Sequence, residues 1–573
     1  MRSAPDTSEY DIAVIGSGFG GSVAALRLTE KGYRVLVIEA GARFEDHNFA
    51  KNSFDLKRFL FFPKLGMLGI QRIDLLKNVL VMSGAGVGGG SLVYANTLYR
   101  PPADFFKTGS WAQIADWQSL LSPYYDIAEK MLGVQVNPFF SPADLVLKKV
   151  AKDRGVEDTF RMAPVGIYFG EAGKEVRDPY FDGKGPRRTG CTNCGECMTG
   201  CRHGAKNTLV KNYLYLAEQA GAEVWDLTTV SHIQKNTDGG FTLSLKRTSI
   251  AGKARPEIIQ VPQVIVAAGA LGSAKLLQKS RDRGGLPGIS QKLGELSRTN
   301  SESLLGVVAK KKDHDFTLGS SITSSVFPDA HTHIEPVRYG KGSGFMGILQ
   351  SVMASGANGE SPNFGQLLKV TFKNILRLPN FYNLRTWPER TLILLVMQSR
   401  DNSLTTYLKR SKIFSKKLTS RQGYGEVNPS WVPVGHEFAR DIAAEIGGTP
   451  GAVIGEPFGI PMTAHFLGGA VIGADSNSGV VDPYLRVYGV EGLHIWDGST
   501  LSANPGVNPS LSITAQAEWA AAHWPNKGEG DARTPLGFRF GFVKPTAAKF
   551  PVLRRAPRVP GSQSQAPSSR QQQ

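Results

Sequence analysis

Tyr10-Asp-Ile-Ala-Val-Ile-Gly-Ser-Gly-Phe-Gly-Gly21 decides how the rest of this chain is read. Tyr10 to Ile15 is a short, mostly apolar run of the kind that forms a buried parallel strand. Gly16, Gly18 and Gly21 follow at G-x-G-x-x-G spacing. The first glycine suits a tight turn, the second lets backbone N–H groups approach a pyrophosphate, and the third lets the next helix pack close to the sheet. That helix, expected over Gly20–Lys31, aims its N-terminal dipole at the phosphates. A second strand, Arg34–Ile38, ends at Glu39, 18 residues past Gly21, where a carboxylate can accept from ribose hydroxyls. A glycine-rich turn with nothing bound would explain the glycines but not Glu39. Strand, glycines, helix, strand and acid in that order make a dinucleotide site.

A length of 573 residues is too long for one ordinary core and implies at least two domains. Apolar residues make up 41% and charged residues 20%, the balance of a globular chain. No run of 18 apolar residues offers a membrane-spanning helix. Asp6 and Glu9 precede the first strand with no apolar core between them, so no secretory signal is visible and a cytoplasmic location is expected, with membrane association left open. The net charge of +17 could serve nucleic acid, an anionic membrane surface, or only solvation. No nucleic-acid recognition module accompanies the basic residues, so no nucleic-acid partner is expected. Part of the excess lies after Asp531, where eight Lys/Arg and no acid occur, and the last ~20 residues have a disordered composition.

Phe54–Ile70 is apolar, aromatic and basic at once, which suits a lid over an apolar substrate, a membrane-facing loop or a packed connection. Ser83–Ser91 holds five glycines in nine residues, a density that implies backbone lying close against a ligand. Residues 111–133 show helical spacing, and helices are also expected over Asn207–Gln219, Leu271–Lys279 and Pro509–Ala521. Val230–Ile233 and Phe241–Lys246 read as a hairpin, and Gln263–Ala270 as another buried strand running into a glycine turn. The stretch 286–460 lacks dinucleotide signals and reads as a substrate domain.

All four cysteines fall within eleven residues, Cys191-Thr-Asn-Cys194-Gly-Glu-Cys197-Met-Thr-Gly-Cys201. The spacing C-x2-C-x2-C-x3-C is that of a bacterial ferredoxin run. With no cysteine elsewhere, a disulfide scaffold is not the explanation. Arg202 stands where ferredoxins carry proline, and their fourth cysteine serves a second cluster for which this chain has no further ligands. An iron–sulfur cluster, zinc, and free or paired thiols all remain open. A cluster beside a bound redox dinucleotide would drain electrons one at a time to a carrier, whereas without one oxygen could be the acceptor.

The N-terminal glycines with Glu39, the Gly84–Ser91 loop and a C-terminal block together resemble the glucose–methanol–choline (GMC) family of FAD oxidoreductases. That block reads His465-Phe-Leu-Gly-Gly469, Gly492-Leu-His-Ile-Trp-Asp-Gly-Ser499 and Gly506-Val-Asn-Pro509. Within the family, Gly88–Val93 and His465–Gly469 are most similar to the bacterial cholesterol oxidases. The resemblance implies an α/β fold: a Rossmann-like FAD-binding domain with a parallel sheet, plus a second, α+β substrate domain on an antiparallel sheet. The cofactor domain is expected in three parts, 8–110, 191–285 and 461–530. A substrate-side insertion at 111–190, the substrate domain at 286–460 and a basic tail at 531–573 complete the chain.

The resemblance also places Phe19, Gly20 and Glu39 around the ADP half of FAD and Val230 near the adenine. Gly89 and Gly90, with Asp497 and Gly498, fall against the ring and its linker. Sterol oxidases carry Asn-Gly where this chain has Tyr94-Ala95, which reshapes the substrate face of the ring. Their catalytic glutamate has no evident counterpart in the divergent middle. Oxidising an alcohol with a flavin requires removal of the hydroxyl proton and delivery of a hydride to flavin N5. His465 is the candidate base and Asn508 the candidate donor to the substrate oxygen. Asn508 could instead cap the following helix, and His494, inside a strand, reads as structural.

The expected activity is oxidation of a 3β-hydroxysterol such as cholesterol to the 3-ketosteroid, with or without double-bond isomerisation. The alternatives are a dehydrogenase of another alcohol or polyol, and a flavin-bearing carrier or membrane-docked binding protein.

Overall fold

The computed structural model describes residues 9–311, 313–356, 361–409 and 416–553, together with 555, 557 and 560. The quoted stretch forms β1 (Ile12–Ile15) and α1 (Phe19–Glu30), followed by β2 (Val35–Ile38). Helix α1 begins at Phe19, directly after the Gly18 N-cap. Every residue of β1 and β2 is buried, at 5% exposure or less. Such two-sided burial explains why both strands read as unbroken apolar runs.

Later segments add β3 (Glu223–Trp225), β4 (Gln263–Val266) and β5 (Leu493–Ile495). The five strands pair in the order β3-β2-β1-β4-β5, all parallel. Between β4 and β5 the chain forms a helix, Gly269–Asp282, and later an antiparallel sheet, so this core is assembled from distant pieces of sequence.

On one face of the sheet lies α1, with α3 (Ser510–Ala522) packed on α1 and α2 (Trp117–Leu132) packed on α3. Helix α2 starts later than its apolar spacing predicts. Asp116 caps it by accepting from Ser119 N at 3.2 Å, and the Trp117 indole donates to the Trp111 carbonyl at 2.9 Å, so residues 111–116 form a turn beneath the helix. Buried Glu518 of α3 accepts from Arg27 of α1 at 2.9 Å and from the Tyr213 hydroxyl at 2.6 Å. A paired buried carboxylate of this kind ties the layer together, whereas an unpaired one would destabilise it. The helix expected over 207–219 covers only Tyr213–Gln219, because Asn212 turns the chain and its side chain accepts from Tyr213 N.

The predicted hairpin is Thr228–Lys235 paired with Phe241–Arg247, and a third strand, Ile258–Val261, extends it. Opposite the parallel sheet stands a five-stranded antiparallel sheet, in spatial order Thr332–Val337, Thr391–Gln398, Ser303–Ala309, Gly448–Val453 and Gln350–Val352. Helices Pro142–Asp153 and Pro433–Glu445 pack their apolar faces on it.

After Asp531 the chain runs without helix or strand through residue 553 but is pinned to the body. The Tyr484 hydroxyl donates to Gly541 O at 2.7 Å, and Phe550 N donates to Glu30 O at 2.9 Å. The terminal residues read as disordered fall almost wholly outside the described residues. No helix among the described residues is long and apolar enough to cross a membrane.

Candidate active site

A cavity of about 670 Å³ lies between the C-terminal ends of the parallel strands and the inner face of the antiparallel sheet. Ligands of open α/β sheets bind at this end of the strands. Gly16, Gly18, Phe19, Gly20, Glu39, Gly89, Gly90, Val230, Asp497 and Gly498 line it, and so do His465 and Asn508. Residues from both ends of the chain, more than 400 positions apart, therefore face one space.

The glycines of the first turn divide by role. A Cβ on Gly18 would meet nothing within 4 Å, so that position is open to a ligand. A Cβ on Gly20 would lie 1.7 Å from the Trp496 carbonyl oxygen. One on Gly21 would lie 2.1 Å from the Gly16 carbonyl oxygen, and Gly21 does not line the cavity. Gly20 and Gly21 thus set how closely α1 approaches the sheet. Gly16 has φ +102°, a conformation that glycine adopts without strain.

Glu39 accepts from Ser17 N at 3.1 Å, Ser17 Oγ at 2.7 Å and Gly41 N at 2.8 Å. Two carboxylate oxygens offer about four acceptor directions, so capacity remains for a ribose hydroxyl. Burial raises its pKa, and these hydrogen bonds oppose that rise. Asp497 accepts from Ser499 N at 2.9 Å and so caps the turn that presents Gly498.

Arg72, Lys246, Lys275, Lys279 and Arg283 stand along the same cavity. Burial first, then the neighbouring cations, lowers the pKa of Lys275 and Lys279. Such mutual repulsion is relieved by an anion, and a diphosphate fits that need. The open Gly18, the acceptor Glu39 and this cationic cluster together suit a dinucleotide.

At the opposite wall, His465 follows the short strand Met462–Thr463 and stands before Leu467–Gly468. Its Nδ1 lies 3.0 Å from Glu302 Oε2. Glu302 is fully buried and also accepts from Thr463 Oγ1 at 2.8 Å and Ala464 N at 3.1 Å. The carboxylate therefore favours the tautomer with the proton on Nδ1 and leaves Nε2 as an acceptor.

Asn508 precedes α3 but makes no cap: its Nδ2 donates to Glu335 Oε2 at 3.1 Å. Asn508 Oδ1 and Glu335 Oε1 are buried without a protein partner. Glu335 sits inside the wholly buried strand Thr332–Val337. Burial, with the nearby charge of Glu302, pushes its pKa up to about 8, against the pull of the Asn508 hydrogen bond. His333, two residues earlier on the strand, is pushed down to about 3 by burial and by His465.

Glu302 and Glu335 were not singled out from sequence. A lone acid inside the apolar run His333-Ile-Glu-Pro-Val337 was the available signal for the second. His494 is buried against Trp524, at 4.4 Å between ring centroids, and does not line the cavity.

Tyr94 and Ala95 line the cavity, with the Tyr94 ring edge-on to Phe19. Of Phe54–Ile70, Phe61 reaches the cavity, Phe59 and Leu60 are buried, and Phe62 and Leu65 are exposed. The segment is thus cavity wall, packed connection and surface in turn. Met346, Leu349, Tyr339, Trp387, Ile393 and Leu395 give this half an apolar lining.

The four cysteines line a second, small cavity, and none is in a disulfide.

A fold of this kind, with one cavity joining a glycine cradle to a histidine–asparagine pair, defines a nucleotide-dependent oxidoreductase. Residues 186–293 and 430–517 each match the GMC oxidoreductase family, and residues 14–55 match an NAD(P)-binding Rossmann-like domain. The chain is 54% identical to a cholesterol oxidase of Mycobacterium tuberculosis over 95% of its own length and 96% of the relative's. It is 42% identical to a cholesterol oxidase of Acinetobacter baumannii, over 91% and 95% of the two chains. The chain belongs to the GMC oxidoreductase family and is an FAD-dependent oxidoreductase acting on CH–OH donors. Among solved structures, the formate oxidase of Aspergillus oryzae matches its fold with a TM-score of 0.57 at 15% identity, over 90% of this chain and 98% of that one.

Proposed function

We propose that this chain oxidises the hydroxyl of a bulky apolar secondary alcohol, a 3β-hydroxysterol such as cholesterol, to the ketone, with oxygen as acceptor. The observation that carries the reading is the convergence of His465 and Asn508 on the cavity that the N-terminal glycines line. The apolar lining around Trp387 and Tyr339 and the similarity to two proteins named cholesterol oxidase support a sterol over a polyol.

FAD, when bound, supplies the hydride acceptor. Gly16, Gly18, Phe19, Gly20 and Glu39 would hold its ADP half, with Val230 near the adenine. Gly89, Gly90, Asp497 and Gly498 would flank the ring end, and Gly21 acts through helix packing. His465 Nε2 takes the hydroxyl proton while Glu302 stabilises the imidazolium that forms. The second N–H of Asn508 Nδ2 donates to the substrate oxygen and orients the carbinol carbon. Glu335 is the group for isomerisation, which moves a proton between two carbons of the steroid. A carboxyl titrating near neutrality can both take and return that proton.

The division into a cofactor domain at 8–110, 191–285 and 461–530 and a substrate domain at 286–460 is part of this reading. It is supported by the origin of the parallel strands in the first set and of the antiparallel sheet in the second. Peripheral contact with a membrane would use helix Phe364–Lys373, where Phe364, Leu368 and Phe372 are exposed beside Lys369 and Lys373. Four unpaired thiols suit a reducing, cytoplasmic setting. The same cysteines favour one second reading, in which a carrier takes the electrons in place of oxygen.

Turnover of a panel of sterols, long-chain alcohols and polyols, with oxygen consumption and ketone formation both measured, tests the proposal. Sterol oxidation abolished in His465→Ala and lowered at least tenfold in Asn508→Ala is expected; turnover confined to polyols would overturn it.

A further inference from the structure

Cys191, Cys194, Cys197 and Cys201 come from a loop whose shape is set by its glycines. Gly195 has φ +71° and Gly200 φ +104°, and a Cβ on Gly200 would lie 2.2 Å from the Phe49 ring. These turns bring all four thiols, including the fourth of the ferredoxin-like spacing, to one cavity closed by Ile167, Gly319 and Lys206. The fourth cysteine is thus placed with the other three and needs no second site.

Charge is the independent observation. Lys206, Arg188 and Arg338 surround this loop, each at 2% exposure or less, and none makes an ion pair among the described residues. Lys206 Nζ donates only to the Leu92 and Cys197 carbonyls, at 2.9 and 2.8 Å. Arg188 donates to the carbonyls of Gly204, Ala205 and Lys206 and to the Asn207 side chain. Arg338 donates to Ser320 O, Ser141 Oγ and Thr323 Oγ1. Buried cations are normally paired. Cys197 and Cys201 are the acids that act on Lys206, whereas Arg338 also faces buried Asp144 and Arg188 also faces Asp46. Four neutral thiols would leave Lys206, which lines the cysteine cavity, without an anion beside it, whereas a thiolate-bound centre is anionic.

Spacing chooses between centres. A single zinc holds its thiolates about 3.8 Å apart. Among the described residues, the only group of three or more candidate ligand atoms within 4.8 Å of one another is Cys194, Glu196 and His203. No three of the cysteine sulfurs meet that spacing. Glu196 is already held by Arg202, at 2.9 Å, in the place where ferredoxins carry proline. A cluster spreads its thiolates further, one to each iron, and takes N–H donors to sulfur of the kind Asn193 N already makes to Cys191 Sγ at 3.4 Å.

We infer that Cys191, Cys194, Cys197 and Cys201 bind an iron–sulfur cluster behind the wall of the main cavity. The wall is thin there. Met198, adjacent to Cys197, lines the main cavity, and Lys206 joins Cys197 O to Leu92 O in the glycine loop while standing 4.7 Å from the Tyr94 ring centroid. The site does not depend on which alcohol is oxidised; with a cluster there, the acceptor is the carrier of the second reading above in place of oxygen.

The test is the full chain, produced with added iron and cysteine and purified without oxygen. Iron, acid-labile sulfide, zinc and FAD are assayed together, and electron paramagnetic resonance is recorded before and after dithionite. The expected result is about three to four irons and a similar number of sulfides per chain, with a resonance that changes on reduction. Iron should fall at least tenfold in Cys194→Ser and Cys197→Ser while FAD remains bound. About one zinc per chain without sulfide, no iron even after reconstitution with ferrous iron and sulfide, or wild-type iron in both variants would each overturn the inference. FAD measured in the same samples distinguishes loss of the cluster from loss of the flavin site, and the wild-type metal content decides the question even where a variant fails to fold.

Discussion

Glu302→Gln removes the charge behind His465 while changing little of the shape. Glu302 accepts from Thr463 Oγ1 and Ala464 N and stands 3.0 Å from His465 Nδ1, inside a wholly buried pocket where that nitrogen has no other partner among the described residues. A glutamine oxygen can keep the Ala464 or Thr463 bond, but its amide then turns a donor toward Nδ1. That inverts the tautomer, places the proton on Nε2 and blocks the atom that must accept from the alcohol. A hydrogen bond to a charged group contributes about 1.5–3 kcal/mol. Lost in the transition state, that range corresponds to a drop of roughly ten- to 150-fold in kcat. KM should change little, because Glu302 acts on the substrate only through His465. The assay is steady-state oxidation of cholesterol by wild type, Glu302→Gln and Glu302→Asp, with FAD content and thermal midpoint as controls. Glu302→Asp, which keeps the acceptor and the charge, should recover part of the loss. A Glu302→Gln enzyme within twofold of wild type, at equal FAD content, would refute the role given to this carboxylate.

Other predictions follow from the same geometry. Glu335 has its pKa raised to about 8 in the folded chain, so between about pH 4.5 and 8 the folded state binds more protons than the unfolded one and stability falls as pH rises. The ceiling on that fall is roughly 4–5 kcal/mol. Glu335→Gln should flatten the decline in denaturant titrations across this window and, in turnover assays, accumulate the unisomerised ketone. Gly18→Ala meets open space and should fold normally but lose FAD, seen as a colourless protein with an unchanged fold by circular dichroism. Gly20→Ala drives a methyl against the Trp496 carbonyl and should cost about 1–3 kcal/mol or more of stability. Asn508→Ala should lower kcat at least tenfold and leave Glu335 without its side-chain partner, measurable as a further upward shift in its titration.

The cofactor half of this fold was legible because local geometry dictates sequence there. A buried parallel strand needs an apolar run, a turn at φ +102° needs Gly16, and close helix packing needs Gly20 and Gly21. Glu302 and Glu335 carry no such local requirement. They meet His465 and Asn508 only after the antiparallel sheet folds over the parallel one, and nothing in spacing relates position 302 to 465 or 335 to 508. Helix starts were misplaced where a capping side chain, Asp116 or Asn212, overrode apolar periodicity. The cysteine run was visible at once, but the three buried cations around it come from separate segments and emerge only in three dimensions.

The most direct test of the account is anaerobic mixing of the purified protein with cholesterol while flavin absorbance is followed. Stoichiometric bleaching in wild type, lost in His465→Ala at equal FAD content, is the result predicted by a flavin seated between the glycine cradle and the histidine–asparagine pair. Bound FAD that cholesterol leaves oxidised, or bleaching as fast in His465→Ala as in wild type, would contradict it.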